Sequence, residues 1–183
     1  MSSPLVFSLK YFLVFTIVMT SVPNSLAQEL SADERRLYHF IMDYRKSKNL
    51  PSIPLSKSLT YVAQMHSLDL AQNNPDQGKC NLHSWSKKGK WKSCCYTSDH
   101  AKSQCMWDKP KEMTGYEYPG YEISCVGAST LSPKKDLDIW ISSPPHHEVI
   151  INKGIWNDPW KAIGVGIHDG YATVWFGHYP EPN

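Results

Sequence analysis

The chain has 183 residues, with seven Trp, ten Tyr and a formal charge of +2 at pH 7. So near-neutral a balance gives no electrostatic case for nucleic acid or an anionic membrane surface as partner. The length suits one domain of ordinary size, large enough to bury a proper core. The aromatic content leaves stacking platforms open as a possibility, although core packing accounts for most aromatic side chains.

The first residues have the layout of an export signal. Lys10 supplies a positive charge, Tyr11 to Met19 is an almost unbroken apolar run, and Ser25-Leu26-Ala27 offers the small residues a signal peptidase reads. The run is short for a bilayer span of ~20 residues. Cleavage is expected between Ala27 and Gln28, against the rival reading of an uncleaved anchor. Residues 28–183 would then form a single domain carrying +1, secreted or periplasmic, with no stable membrane insertion.

Ser31-Ala-Asp-Glu34 reads as a capping box, followed by Leu37, Phe40, Ile41 and Tyr44 at helical spacing. Asn49, Pro51 and Pro54 end that helix. A second helix starts near Ser56, with Leu59, Val62, Ala63, His66 and Leu70 on one face. His66 there reads as a packed core histidine rather than a ligand. Residues 73–133 are irregular, and a structureless loop of that length is improbable in a compact domain. Short helices, strand pieces and disulfides are expected to organise it. Ser132-Pro133 opens a third helix, with Leu137, Trp140 and Ile141 facing inward. The end is a hairpin: Ile163–Ile167 and Ala172–Phe176 flank an Asp169-Gly170 turn. Gly164 and Gly166 leave one face of the first strand bare, which suits the close approach of a helix.

Cys80, Cys94, Cys95, Cys105 and Cys125 all lie in the irregular stretch. Export permits disulfides. An odd count leaves one thiol over, and adjacent Cys94 and Cys95 are expected to take different partners. The rival is a zinc site using His83 or His100, but the spacing matches no zinc ribbon or finger.

Trp140-Ile-Ser-Ser-Pro-Pro-His146-His147-Glu-Val-Ile-Ile-Asn152, with Ile163-Gly-Val-Gly-Ile167 after it, resembles the core motif of the CAP superfamily (cysteine-rich secretory, antigen 5 and pathogenesis-related proteins), in its bacterial form. Pro145 stands where glycine is usual and His147 where arginine is usual. The resemblance implies an α+β fold: an α-β-α sandwich with a central antiparallel sheet between helices. It also implies a polar cleft of two histidines and two acids, which in several members hold a divalent metal. Three of the four carry over. His83, in Asn81-Leu-His-Ser-Trp-Ser86, follows the second helix by a short loop. Glu122, in Gly120-Tyr-Glu-Ile-Ser124, resembles the acid of the Gly-Glu-Asn segment with one residue inserted. His146 takes the histidine position of the Ser-Pro-Gly-His block. The fourth position falls on Ser143, which weakens the case for tight metal binding. Glu117, His147 and His100 are rival site residues.

Two imidazoles and a carboxylate are a common open zinc site, and a bound water could be acidified towards neutrality there. A divalent metal, zinc foremost, is therefore the expected cofactor if there is one. No Gly-x-Ser-x-Gly elbow, phosphate loop or His-Glu-x-x-His helix is present. Three readings follow from the resemblance. One is a secreted protein whose His/Glu cleft binds a small ligand, lipid or peptide. The others are a metal-dependent hydrolase of peptide or cell-wall material, and a non-catalytic interaction module stapled by disulfides. Catalytic residues are not identified.

Overall fold

The computed structural model describes residues 29–127 and 132–182. The expected export signal, residues 1–27, and its cleavage point lie outside the described residues. Among the described residues no helix is long and apolar enough to cross a membrane.

Helix α1 spans Ala32–Ser47, and its capping box forms as expected: the Glu34 N–H donates to Ser31 Oγ, and the Ser31 N–H donates to Glu34 Oε2 at 2.7 Å. Helix α2 spans Lys57–Asn73, capped by Ser56, whose hydroxyl accepts from the Leu59 N–H. It stops at Asn74, which takes the left-handed conformation that ends many helices. Two short helices follow in the middle stretch, α3 at Ser103–Trp107 and α4 at Lys109–Met113, and then strand β1 at Tyr121–Val126. Helix α5 spans Pro133–Ser142 and α6 spans Pro144–Ile150. Strands β2, Ala162–His168, and β3, Tyr171–Gly177, form the expected hairpin, with Asp169 and Gly170 both at positive φ.

The three strands are antiparallel in the order β1-β3-β2, so the last strand in sequence is the central one. Alternation along them builds two cores. Ile123, Ile163, Val165, Val174 and Phe176 meet Leu37 and Ile41 of α1, Leu137 and Trp140 of α5, and Ile150 of α6. On the other face Ala162 and Trp175 pack with Leu59, Val62 and Ala63 of α2 and with Trp85 and Tyr116. The helices therefore cover both faces of one sheet, which is the expected α-β-α sandwich.

Close packing of α2 depends on the bare face of β2. A Cβ on Gly164 would lie 2.0 Å from the Leu59 carbonyl carbon, and one on Gly166 would lie 2.3 Å from that of Ala63. This is the approach that the alternating glycines anticipated.

The segment from Trp140 to His146 is split between two helices. The helix carrying Trp140 does not run on to present His146 at its end. It stops at Ser143, which is extended, and α6 begins at Pro144. The cause is local: proline disfavours helical backbone at the residue before it and is well placed in a first helical turn.

The middle stretch is held by two disulfides, Cys80–Cys95 and Cys94–Cys105, and Cys125 is the remaining thiol. The adjacent cysteines do take different partners, and the thiols are thereby removed from any zinc site.

Candidate functional site

Glu122 is the second residue of β1 and sits opposite Trp175 on the α2 face of the sheet. Its side chain is fully buried. A carboxylate in that position must find hydrogen-bond donors, because an unpaired buried charge costs several kcal/mol. It finds two. His66 Nδ1, from α2, meets Oε1, and His83 Nδ1 meets Oε2 at 2.7 Å. Burial alone would raise the Glu122 carboxyl, but the charge and hydrogen bond of His66, then those of His83, hold it below the usual carboxylate range.

Helix α2 positions both imidazoles. His66 lies on its buried face, and its Nε2 donates to the Ser84 carbonyl at 2.9 Å. Its ring stacks on Trp85 with centroids 4.1 Å apart and planes 7° from parallel. The loop bearing His83 is pinned from several directions. Asp69 of α2 accepts from the Ser86 N–H at 2.7 Å and from the Ser86 hydroxyl at 2.5 Å. The Asn81 N–H donates to the Tyr96 carbonyl, Trp85 and Cys94 exchange both backbone hydrogen bonds, and Cys80 is tied to Cys95. The Asn81 side chain also accepts the His83 N–H, a local turn that sets where the ring emerges. The His83 side chain is 17% exposed. With Nδ1 committed to Glu122, its Nε2 is the atom left for contact with anything outside the protein.

His146 lies in the first turn of α6 and is half-buried; its Nδ1 is buried and has no hydrogen-bond partner among the described residues. Burial lowers its basicity, the charge of nearby His83 lowers it further, and Glu122 opposes the change. The neutral imidazole is therefore favoured. No hydrogen bond joins His146 to His83 or Glu122.

The rival residues are occupied elsewhere. His147 pairs with the Tyr44 hydroxyl of α1 at 2.9 Å. His100 is exposed and pairs with the Tyr96 hydroxyl, also at 2.9 Å. Glu117 is on the surface, 3.3 Å from Lys111.

Of the three expected zinc ligands, His83 and Glu122 come together, and His146 makes no hydrogen bond to either. Both Glu122 carboxylate oxygens face imidazole nitrogens, Oε1 that of His66 and Oε2 that of His83. Among the described residues no group of three or more His, Cys, Asp or Glu side chains is placed to hold a metal. What the sequence reading missed was the part played by His66. The available signal was a histidine on an otherwise apolar helix face, where a buried ring needs partners for both nitrogens.

The whole-chain comparisons agree with this architecture. An outer surface protein from Borrelia burgdorferi superposes with a TM-score of 0.53 at 19% identity, over 82% of this chain and 97% of that one. An extracellular protein containing an SCP domain from Bacillus anthracis superposes with a TM-score of 0.54 at 17% identity, over 84% of this chain but only 45% of that longer one. At such identities the likeness establishes the fold alone. Among curated proteins there is no significant match. The family model described as CAP, cysteine-rich secretory protein family, matches residues 38–179, most of the chain. The chain belongs to the CAP family.

Proposed function

We propose that this chain is an exported CAP-domain binding protein whose polar surface around His83 and His146, backed by Glu122, takes a small ligand, a peptide or a lipid headgroup. The observation that carries the reading is an oriented imidazole beside an unsatisfied one. Glu122 fixes the His83 ring by its Nδ1 and leaves Nε2 free, while the buried Nδ1 of His146 lacks a partner among the described residues. Oriented, desolvated nitrogens of this kind are what a binding site uses to select a polar group. The apolar N-terminal run and the two disulfides support a secreted or periplasmic setting.

A metal-dependent hydrolase is the less favoured reading, because no group of three or more His, Cys, Asp or Glu side chains is placed to hold a metal among the described residues. The test is ligand-observed and protein-observed NMR with a fragment set, dodecylphosphocholine and ZnCl2 as separate probes. At least one organic probe should shift the His83 and His146 ring signals together. His83→Ala and His146→Ala should each weaken that probe more than tenfold. Probes that act only elsewhere, or that ignore both substitutions, would overturn the reading. Stoichiometric Zn2+ binding abolished by either substitution, with peptide turnover lost to chelator, would replace it with the hydrolase.

A further inference from the structure

The near-neutral total hides a segregation of charge. Residues 77–113 carry eight lysines against Asp99, Asp108 and Glu112, a net +5, so the rest of the chain together carries −3. Among the described residues only Lys109 and Lys111 of the eight stand in ion pairs, with Glu112 and Glu117. Lys87, Lys88, Lys90 and Lys92 fall within six residues of sequence, and all four are exposed. Such a run is ordinarily a loose, solvated stretch, but a short lysine-rich segment is also what binds polyanions.

This run is held in place. Trp85 and Cys94 exchange both backbone hydrogen bonds and close the loop at its base. Trp91 folds back under it: the indole Nε1 donates to the Ser86 carbonyl at 3.1 Å, and the ring meets that of Trp85 edge to face with centroids 5.0 Å apart. Gly89 lies against the same ring, where a Cβ would fall 2.1 Å from the indole. The Lys88 N–H donates to Ser86 Oγ, and the Cys94–Cys105 disulfide ties the base of the loop to α3. With its one apolar side chain packed on Trp85, the loop presents ammonium groups to solvent.

The loop ends at a cavity of about 690 Å³. Lys92 and Ser93 of the loop line it on one side, and Gln104, Asp108, Lys111 and Glu112 on the other. Lys109 joins the two sides: its buried ammonium reaches Glu112 Oε2 at 2.6 Å and the Lys92 carbonyl, and sits over the Trp85 ring. Asp108 Oδ1 accepts from Gln104 Nε2 at 2.6 Å, which leaves Oδ2 to accept from a ligand hydroxyl. The wall thus mixes cations with groups that bond to hydroxyls.

The surroundings choose among the anionic polymers that would answer such a loop. Nucleic acid bound without sequence preference stacks its bases on aromatic rings, and no aromatic side chain lines the cavity. Membrane-surface segments insert apolar side chains beside their charges, and Trp91 is already packed on Trp85. A sugar chain bearing anionic groups meets both halves of the wall. We propose that the loop from Ser86 to Ser93 and the adjoining cavity bind an acidic polysaccharide. Sulfate or carboxylate groups lie along the loop lysines, and the hydroxyls of one sugar unit bond to Ser93, Gln104 and Asp108. None of these residues belongs to the surface around His83 and His146, so the two readings fail separately.

The experiment is calorimetric titration of the oxidised protein with a heparin oligosaccharide and with an oligogalacturonate, at low salt and at about 0.15 M NaCl. At least one should bind, more weakly at the higher salt; which one binds tells sulfate from carboxylate recognition. Removing three loop charges together, by Lys87→Gln, Lys88→Gln and Lys90→Gln, should weaken binding about tenfold. Removing the same charge elsewhere, by Lys135→Gln, Lys153→Gln and Lys161→Gln, should weaken it less than about threefold. Ser93→Trp keeps the charge but crowds the cavity, and should also cost about tenfold. Should S93W misfold, Gln104→Ala replaces it, with a loss of at least about threefold expected. No binding of either sugar at low salt, equal losses in the two triple variants, or an unchanged affinity in the cavity variant would each overturn the proposal. So would tighter binding of an oligothymidylate or of phosphatidylglycerol vesicles than of both sugars, which would assign the loop to nucleic acid or to a membrane instead.

Discussion

Replacing Gly164 with Ala tests how the sheet carries the site. A Cβ at this position meets the helix α2 backbone itself, 2.0 Å from the Leu59 carbonyl carbon and 2.2 Å from the Thr60 nitrogen. No side-chain rotamer can relieve contacts with backbone. Restoring an ordinary contact near 3.4 Å requires α2 to retreat by about 1.4 Å. Overpacking typically costs 1–3 kcal/mol, and a rigid wall puts this case near the top, about 3 kcal/mol. Reduced freedom of the unfolded chain returns roughly 0.4–1 kcal/mol. A net loss of about 2 kcal/mol lowers Tm by roughly 4–8 °C in a domain of this size. The control is Gly115→Ala, where nothing lies within 4 Å of the added carbon, and which should change stability by no more than about 0.5 kcal/mol. The assay is urea unfolding beside thermal melting. Because His66 sits one turn beyond Ala63 on the same helix, the retreat also loosens its contact with Glu122, and the His83 ring signals should broaden or shift. Equal stabilities for G164A and G115A would refute the claim that glycine is there for helix–sheet contact.

Asp136 gives a pH test. It is buried, and burial pushes its carboxyl up to about 6, opposed by the hydrogen bond from the Cys125 thiol and reinforced by the charge of Asp33. A folded-state value above the unfolded value of ~3.9 means ionisation opposes folding: the penalty is absent below about pH 4, grows towards about pH 6 and is constant above. Asp136→Asn should therefore be more stable than the parent at pH 7, with the advantage vanishing by pH 4; a difference independent of pH would contradict this. Non-reducing mass mapping should find Cys80–Cys95 and Cys94–Cys105 with Cys125 free, and Cys94→Ser with Cys105→Ser should cost about 2–3 kcal/mol of unfolding free energy. Any other pairing, or an unaffected urea midpoint, would count against that account of the middle segment.

Local information made much of the fold legible. The capping box at Ser31, the apolar stripe of α2 and the Asp169-Gly170 turn each act within a few residues, so each can be read from a short window. β1 was harder to place, because Glu122 and Ser124 are buried along with Ile123 and Cys125. With both faces covered, the polar–apolar alternation that marks a half-exposed strand carries no information about which side is outside. The break at Ser143 is written in Pro144 and Pro145, since proline disfavours helical backbone at the residue before it.

The sequence by itself determined the first two helices, the closing hairpin, the family motif and the presence of His83, Glu122 and His146. Only the tertiary structure decided what Glu122 does. Its two imidazole partners lie 56 and 39 residues away, and nothing in local periodicity says which of eight histidines will face it. That choice follows from the glycines of β2, which let α2 lie against the sheet, and from Asp69, which draws the His83 loop over the helix. A buried carboxylate must be satisfied by whatever donors the packing brings to it, and here the packing brings His66 and His83 but not His146.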